Sequence, residues 1–320
     1  MEFVRLEGNL MTEKDLVIIG GGASGMSSGI FASRLGLNTV ILEQLMPGGQ
    51  VINSEHIEDY PGFPEGISGA ELAAKMQEQA MSNGVDIELS EVTDISDEND
   101  GWIVQTTAGA KSTKAIIVAG GSSLRKLQVK GEDELVGAGV SYCATCDGAF
   151  FIDQNVCVIG GGDSALEEAL TLTNFAGSVE IFCRGETLHG QKVLVDRANA
   201  NDKINIHTNV EITEIHGNEM VDGASLRNLV SGETTRIDTD GVFIFVGLEP
   251  NSDYLSPLME LDGGGHIKTD SRMRTSKAGI LAAGDIRSQS ASQLIAAAGD
   301  GATAAITAFE YVKSGIWSTR

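Results

Sequence analysis

The chain reads as an α/β protein with two Rossmann-like nucleotide-binding domains, the second inserted in the first. Three observations predict this. Two glycine fingerprints, Gly20-Gly21-Gly22-Ala23-Ser24-Gly25 and Gly160-Gly161-Gly162-Asp163-Ser164-Ala165, recur at an offset of 140 residues, too long for a solenoid repeat. Each follows a continuous apolar run and opens a helical pattern, the order of a βαβ unit. Two further apolar runs stop abruptly, at Gly120-Gly121 and at Gly247 before Pro250, and so mark crossings between domains.

The elements follow in order. A polar leader, Met1 to Lys14, carries no signal-peptide pattern, and the first strand is expected from Asp15. Leu16 to Ile19 are continuously apolar, as a strand buried on both faces requires. A helix is predicted near Gly25 to Leu35, then a strand from Thr39 to Leu42 that ends at Glu43. Lys114 to Ala119 is another buried strand. The second copy has a strand at Val156–Ile159, a helix near Ser164 to Thr173, and a strand at Val179–Phe182 that ends at Cys183. Alternating patterns at Ile206–Ile215 and Gly241–Phe245 read as further strands. Gly279 to Asp285 is a last strand and turn, and alanine-rich Leu294 to Val312 is a closing helix. With hinges near Ser123–Lys130 and Glu249–Ser252, the outer domain takes residues 1–124 and 250–320, and the inserted one 125–249.

Composition narrows the function. The 320 residues carry a net charge of −23, which excludes the basic footprint that nucleic acids and anionic membranes demand. No apolar stretch reaches the ~18 residues of a membrane helix. Of four cysteines, Cys157 sits in an apolar strand, and only Cys143 and Cys146 form a close pair. That usage suits a reducing compartment, the cytoplasm, and a catalytic bridge.

The motifs carry the chemistry. A glycine turn between strand and helix lets backbone N–H groups approach a pyrophosphate at the helix N-terminus. In the first copy Glu43, at the end of the next strand, suits a ribose hydroxyl pair and repels a 2′-phosphate. The same offset from Gly160 lands on Cys183, followed by Arg184. Without an acid there NAD is not favoured. Arg184 is either a 2′-phosphate ligand or a solvated surface charge. Cys143-Ala144-Thr145-Cys146 is a redox pair rather than half a zinc site, because no second cysteine pair or spaced histidines complete four ligands. No metal is expected. Asp147 either moves the proton that thiolate chemistry requires or caps a helix.

On these residues, together with Pro47-Gly48-Gly49-Gln50, Asp59-Tyr60-Pro61-Gly62, Glu167-Glu168 and Ala283-Gly284-Asp285, the chain resembles the low-molecular-weight thioredoxin reductases from about Asp15 to the C-terminus. The resemblance implies FAD held by Gly20, Gly22, Ala23, Ser24, Gly25 and Glu43. It adds Gly48, Gly49, Gln50, Asn53, Gly284, Asp285 and Gln293 to that site. Gly160, Gly162, Asp163, Ser164, Ala165 and Arg184 would serve the pyridine nucleotide. Cys146 would take electrons from the flavin, Cys143 would exchange with a thioredoxin-like protein, and Asp147 would be the general acid/base. It further implies a homodimer and a swinging inserted domain.

The chain departs from the family pattern at the donor site. NADPH-using members carry His-Arg-Arg and a further arginine after the second strand; here stand Cys183-Arg184-Gly185 and His189. Each missing charge-assisted contact is worth ~1.5–3 kcal/mol. Two of them weaken NADPH by roughly two to four decades. The usual Arg-Gln near the end is Ser292-Gln293. NADPH is the expected donor, with NADH or ferredoxin as alternatives. A dithiol oxidase running in reverse is a rival that Asp147 counts against, and a regulatory flavoprotein without turnover is another.

Overall fold

The computed structural model describes residues 3–6, 9–98 and 101–317. The chain divides into two compact units, residues 1–123 with 249–320, and residues 124–248.

The outer unit is built on a parallel sheet in the order Asp86–Leu89, Thr39–Glu43, Asn9–Ile19, Gly109–Val118. Ile280–Ala282 adds to the last of these strands in parallel, aligned with Ile116 to Val118. Val92–Glu98 and Gly101–Thr106 extend the sheet as an antiparallel meander. Leu16, Val17, Ile18, Ile116, Ile117 and Val118 are fully buried, which explains their continuous apolar runs. Helix Ala23–Arg34 packs against the closing helix Leu294–Ser314 through small residues. Ser27 donates its hydroxyl to Ala298 O at 2.7 Å, and Ser28 donates to Gly301 O at 3.1 Å. Backbones approach so closely that a Cβ on Gly301 would lie 2.1 Å from Ser24 O.

The expected start of the first strand at Asp15 is corrected. The strand begins at Asn9, and Met11 to Lys14 pair in parallel with Ala110 to Thr113. Ladder hydrogen bonds need no apolar side chains, so a polar segment joins the sheet. Lys14 is held by Asp86 at 2.6 Å.

The inserted unit has a parallel sheet in the order Ile204–His207, Ser178–Phe182, Asn155–Ile159, Gly241–Ile244, Val140–Ser141. Helix Asp163–Leu172 covers one face, where Val156, Val158, Leu166, Ala169, Ile181 and Phe243 pack. A three-stranded antiparallel sheet, Val210–Gly217, Val221–Asn228 and Thr234–Ile237, supplies Ile212, Ala224 and Leu226 to the core of Cys157, Ile159 and Ile244. The single strand expected over Ile206–Ile215 is therefore two. Asn209 adopts φ 56°, a left-handed turn that sends the chain from one sheet to the other. His207 bonds Glu180 at 2.6 Å and His216 bonds Ser225 at 2.7 Å, so both serve the scaffold.

A buried carboxylate organises the entry into this unit. Glu132, 1% exposed, accepts from Leu127 N–H at 2.9 Å, Gln128 N–H at 2.6 Å and the Tyr142 hydroxyl at 2.7 Å. Burial, then the Glu132 carboxylate, raises the Tyr142 phenol above its ordinary range. Tyr142 immediately precedes Cys143, so the loop and the redox turn share one anchor.

Candidate active site

Cys143 and Cys146 form a disulfide with Cα atoms 5.3 Å apart, well inside the range a bridge needs. Cys143 caps the short helix Ala144–Asp147, which follows strand Val140–Ser141, and Cys146 lies within that helix. The Cys146 N–H donates to Cys143 Sγ at 3.1 Å. Asp147 stands beside the pair, its Oδ2 accepting the Ser141 hydroxyl at 2.6 Å. Ser141 Oγ in turn accepts the Cys143 N–H at 3.1 Å. The chain Asp147–Ser141–Cys143 thus connects a carboxylate to the backbone of the cysteine. Glu168, from helix Asp163–Leu172, accepts the Ala144 N–H at 2.6 Å. No sequence motif points to Ser141, and Glu168 enters the resemblance only within the Glu167-Glu168 pair, with no task implied. Glu168 lies 24 residues from Ala144, and a side chain bonding backbone at that distance leaves no local pattern.

The other cysteines are unlike this pair. Burial pushes the Cys157 thiol up to about 12 and raises Cys183 as well. Both shifts disfavour the thiolate.

The first glycine turn is an assembled cradle. Gly20 has φ +103°, and Gly48 N–H donates to Gly21 O at 2.8 Å, drawing the Pro47-Gly48-Gly49-Gln50 segment onto the turn. A Cβ on Gly49 would lie 3.1 Å from Gly22 Cα, so bare backbone faces bare backbone. Glu43 accepts from Gly21 N–H at 2.7 Å and Leu45 N–H at 3.0 Å, which fixes its carboxylate at the turn. Gln50 donates to Ser122 O at 3.4 Å and Asn53 donates to Gln50 Oε1 at 3.4 Å. Ser122 donates to Asp285 O at 3.3 Å. These contacts gather Gly20, Gly22, Glu43, Gly48, Gly49, Gln50, Asn53 and Asp285 into one region. Ala23 opens the helix, and Gln293 is the cap of the closing helix. The Ser24 hydroxyl is committed elsewhere, donating to Ala283 O at 3.2 Å beside Gly284. Asp285 is held above the ordinary carboxylate range by burial, against a hydrogen bond from Ser290 at 2.9 Å. Its neighbour Gly284 donates to buried Asp300, which is paired with Arg287 at 2.6 Å. A bare-backbone floor, a fixed carboxylate and a half-buried acid suit a dinucleotide of the FAD kind.

The second turn is arranged differently. His189 N–H donates to Gly161 O at 2.8 Å, and its imidazole Nε2 would lie 3.4 Å from a Cβ on Gly162. Asp163 accepts from Gln191 N–H at 2.6 Å, so its carboxylate closes the loop back onto the turn. Ala165 is buried against Gly160 and Ser164 is exposed. Arg184 is exposed just past the end of strand Ser178–Phe182, beside Cys183, whose thiol donates to Gly185 O at 3.5 Å.

The profile of the pyridine nucleotide-disulphide oxidoreductase family matches residues 14–302. The chain is 42% identical over 298 residues to the thioredoxin reductase of Mycolicibacterium smegmatis, covering 93% of this chain and 96% of that one. The chain belongs to this family, among its thioredoxin reductases. Solved structures agree. The thioredoxin reductase of Lactococcus lactis is 43% identical with a TM-score of 0.92, over 94% of this chain and 99% of that one. That of T. acidophilum is 35% identical with a TM-score of 0.91, over 94% and 99%. No helix among the described residues is long and apolar enough to cross a membrane.

Proposed function

We propose that this chain is an FAD-dependent thioredoxin-disulfide reductase. The observation that carries the reading is the Cys143–Cys146 disulfide, set beside Asp147 in a chain built on two glycine cradles. FAD, held by the first cradle, supplies a two-electron carrier. The rest falls to side chains of the chain itself. Once reduced, Cys143 attacks the disulfide of a thioredoxin-like protein, forming a mixed disulfide and releasing one partner sulfur. Cys146 then attacks Cys143 Sγ, the internal bridge re-forms, and the second partner sulfur leaves with the electron pair. In this reading Asp147, which accepts the Ser141 hydroxyl, takes the proton from one thiol and returns it to the departing sulfur. Phe150, 78% exposed, and Ile152, 61% exposed, lie a short way past Cys146 in the chain and offer the partner an apolar contact face.

The reading places the enzyme in the cytoplasm as a homodimer. Phe31 and Leu35, one turn apart and exposed on the outer unit, support a second copy there. The donor is NADPH at reduced affinity, with Arg184 as its remaining cation for the 2′-phosphate. One observation favours a second reading, a donor without that phosphate, such as NADH or ferredoxin. Gly185 and His189 stand where arginines would serve, and His189 lies on the second turn itself.

Two experiments test this. Anaerobic flavin bleaching by NADPH, NADH and reduced ferredoxin, compared side by side, identifies the donor. A low micromolar Michaelis constant for NADPH would refute the weight placed on the absent arginines. Cys146→Ser is expected to abolish thioredoxin reduction with flavin still bound. Loss of flavin in that variant would make the segment structural instead.

A further inference from the structure

The redox turn is held by a carboxylate from another element. Glu168 accepts the N–H of Ala144, the residue bonded directly to Cys143, at 2.6 Å. Ala144 is fully buried and Glu168 is half-buried, so this charge is poorly screened. Two influences therefore meet at Cys143 Sγ. The Cys146 N–H at 3.1 Å stabilises negative charge on the sulfur. The Glu168 carboxylate, one peptide unit away, opposes it.

We propose that Glu168 is a positioning residue that makes the Cys143–Cys146 pair more strongly reducing, by fixing the turn and by disfavouring thiolate on Cys143. The inference rests on thiol–disulfide exchange at this pair, as proposed above. Reducing the bridge takes two electrons, breaks one S–S bond, and leaves two sulfurs that share up to two protons. A reduced form that is costly to charge yields its electrons more readily. The sign depends on pH. Where both sulfurs are protonated, the Glu168 charge has little to repel. Where Cys143 is thiolate, the repulsion is fully expressed. Among the described residues, charged or titratable groups tied to the turn include Asp147 on Ser141, Tyr142 with its partner Glu132, and Glu167 on the same helix as Glu168.

The test uses the full-length flavoprotein. Glu168→Gln keeps an oxygen able to accept the Ala144 N–H and removes the charge; Glu168→Ala removes both. Cys143 is alkylated with iodoacetamide after reduction, and its rate is followed against pH by peptide mass. In parallel, the dithiol-to-disulfide ratio is measured in glutathione buffers at pH 6 and pH 9. Glu168→Gln is expected to lower the pH midpoint of alkylation and to raise the dithiol fraction at pH 9 by about threefold to tenfold, with no change at pH 6. Glu168→Ala is expected to do the same, with the turn loosened in addition. If the Gln variant matches the wild type in midpoint and ratio while the Ala variant alone differs, Glu168 is only a structural tie and the proposal fails. These readouts require neither thioredoxin nor a nucleotide, so they stand apart from the fate of the assigned activity.

Discussion

Gly25 and Ala165 stand at equivalent places in the two strand–turn–helix units, and the packing around them differs. A Cβ on Gly25 would lie 1.9 Å from Gly20 O, whereas the Ala165 methyl lies 2.9 Å from where a Cβ on Gly160 would project. The first helix therefore meets its turn backbone to backbone, and the second keeps room for a methyl. The acids differ in the same sense. Glu43 is fixed by two backbone N–H groups at the first turn, while Cys183 follows the matching strand of the second. The first turn is further locked from behind, where Gly301 crosses Ser24 and Ser24 bonds Ala283 O. One unit is thus a tight, fully braced cradle suited to a permanently held cofactor. The other is a more open turn, suited to a ligand that comes and goes.

The strongest way to break this comparison is Gly25→Ala. It is expected to abolish flavin binding, read as loss of the absorbance of the purified protein, and to destabilise the outer unit. Its counterpart Ala165→Gly is expected to cost only about 1 kcal/mol of helix stability in thermal unfolding. A yellow, stable Gly25→Ala protein would remove the contrast. The next effect lies at the second turn. Gly185→Arg with His189→Arg is expected to lower the Michaelis constant for NADPH at least tenfold and leave that for NADH unchanged, since each new contact is worth ~1.5–3 kcal/mol. Equal gains for both nucleotides would show that the loop, and not the 2′-phosphate, sets the affinity.

The smallest effect concerns Asp285, the half-buried acid of the first cradle. Burial raises its folded-state value above that of the unfolded chain. Its contribution to stability is then fullest below the ordinary value of 3.8 and is lost as pH rises through the raised one. Flavin-free Asp285→Asn protein is expected to show a flatter stability curve than wild type as pH rises above 3.8 in urea unfolding. An unchanged curve would mean that Ser290 and Arg287 already offset the burial.

Much of this arrangement was legible from residue order. Strands such as Leu16–Ile19 and Val156–Ile159 are buried on both faces, so they show as unbroken apolar runs before each glycine turn. Glu43 could be assigned to its turn because the βαβ unit brings the end of the second strand there. What escaped was held by contacts rather than by periodicity. Thr12 to Lys14 join the sheet through backbone pairing although their side chains are polar. The split at Asn209 depends on one left-handed residue inside an otherwise strand-like pattern. Glu132 and Glu168 look like surface charges in sequence, yet each accepts backbone N–H groups, and each is tied to the redox turn.

The most direct measurement is a thiol count at Cys143 and Cys146 after the bound flavin is reduced photochemically without oxygen. The account predicts that two equivalents of electrons yield two new thiols at these positions as the flavin returns to its oxidised colour. A flavin that stays bleached beside an intact Cys143–Cys146 bridge would contradict it.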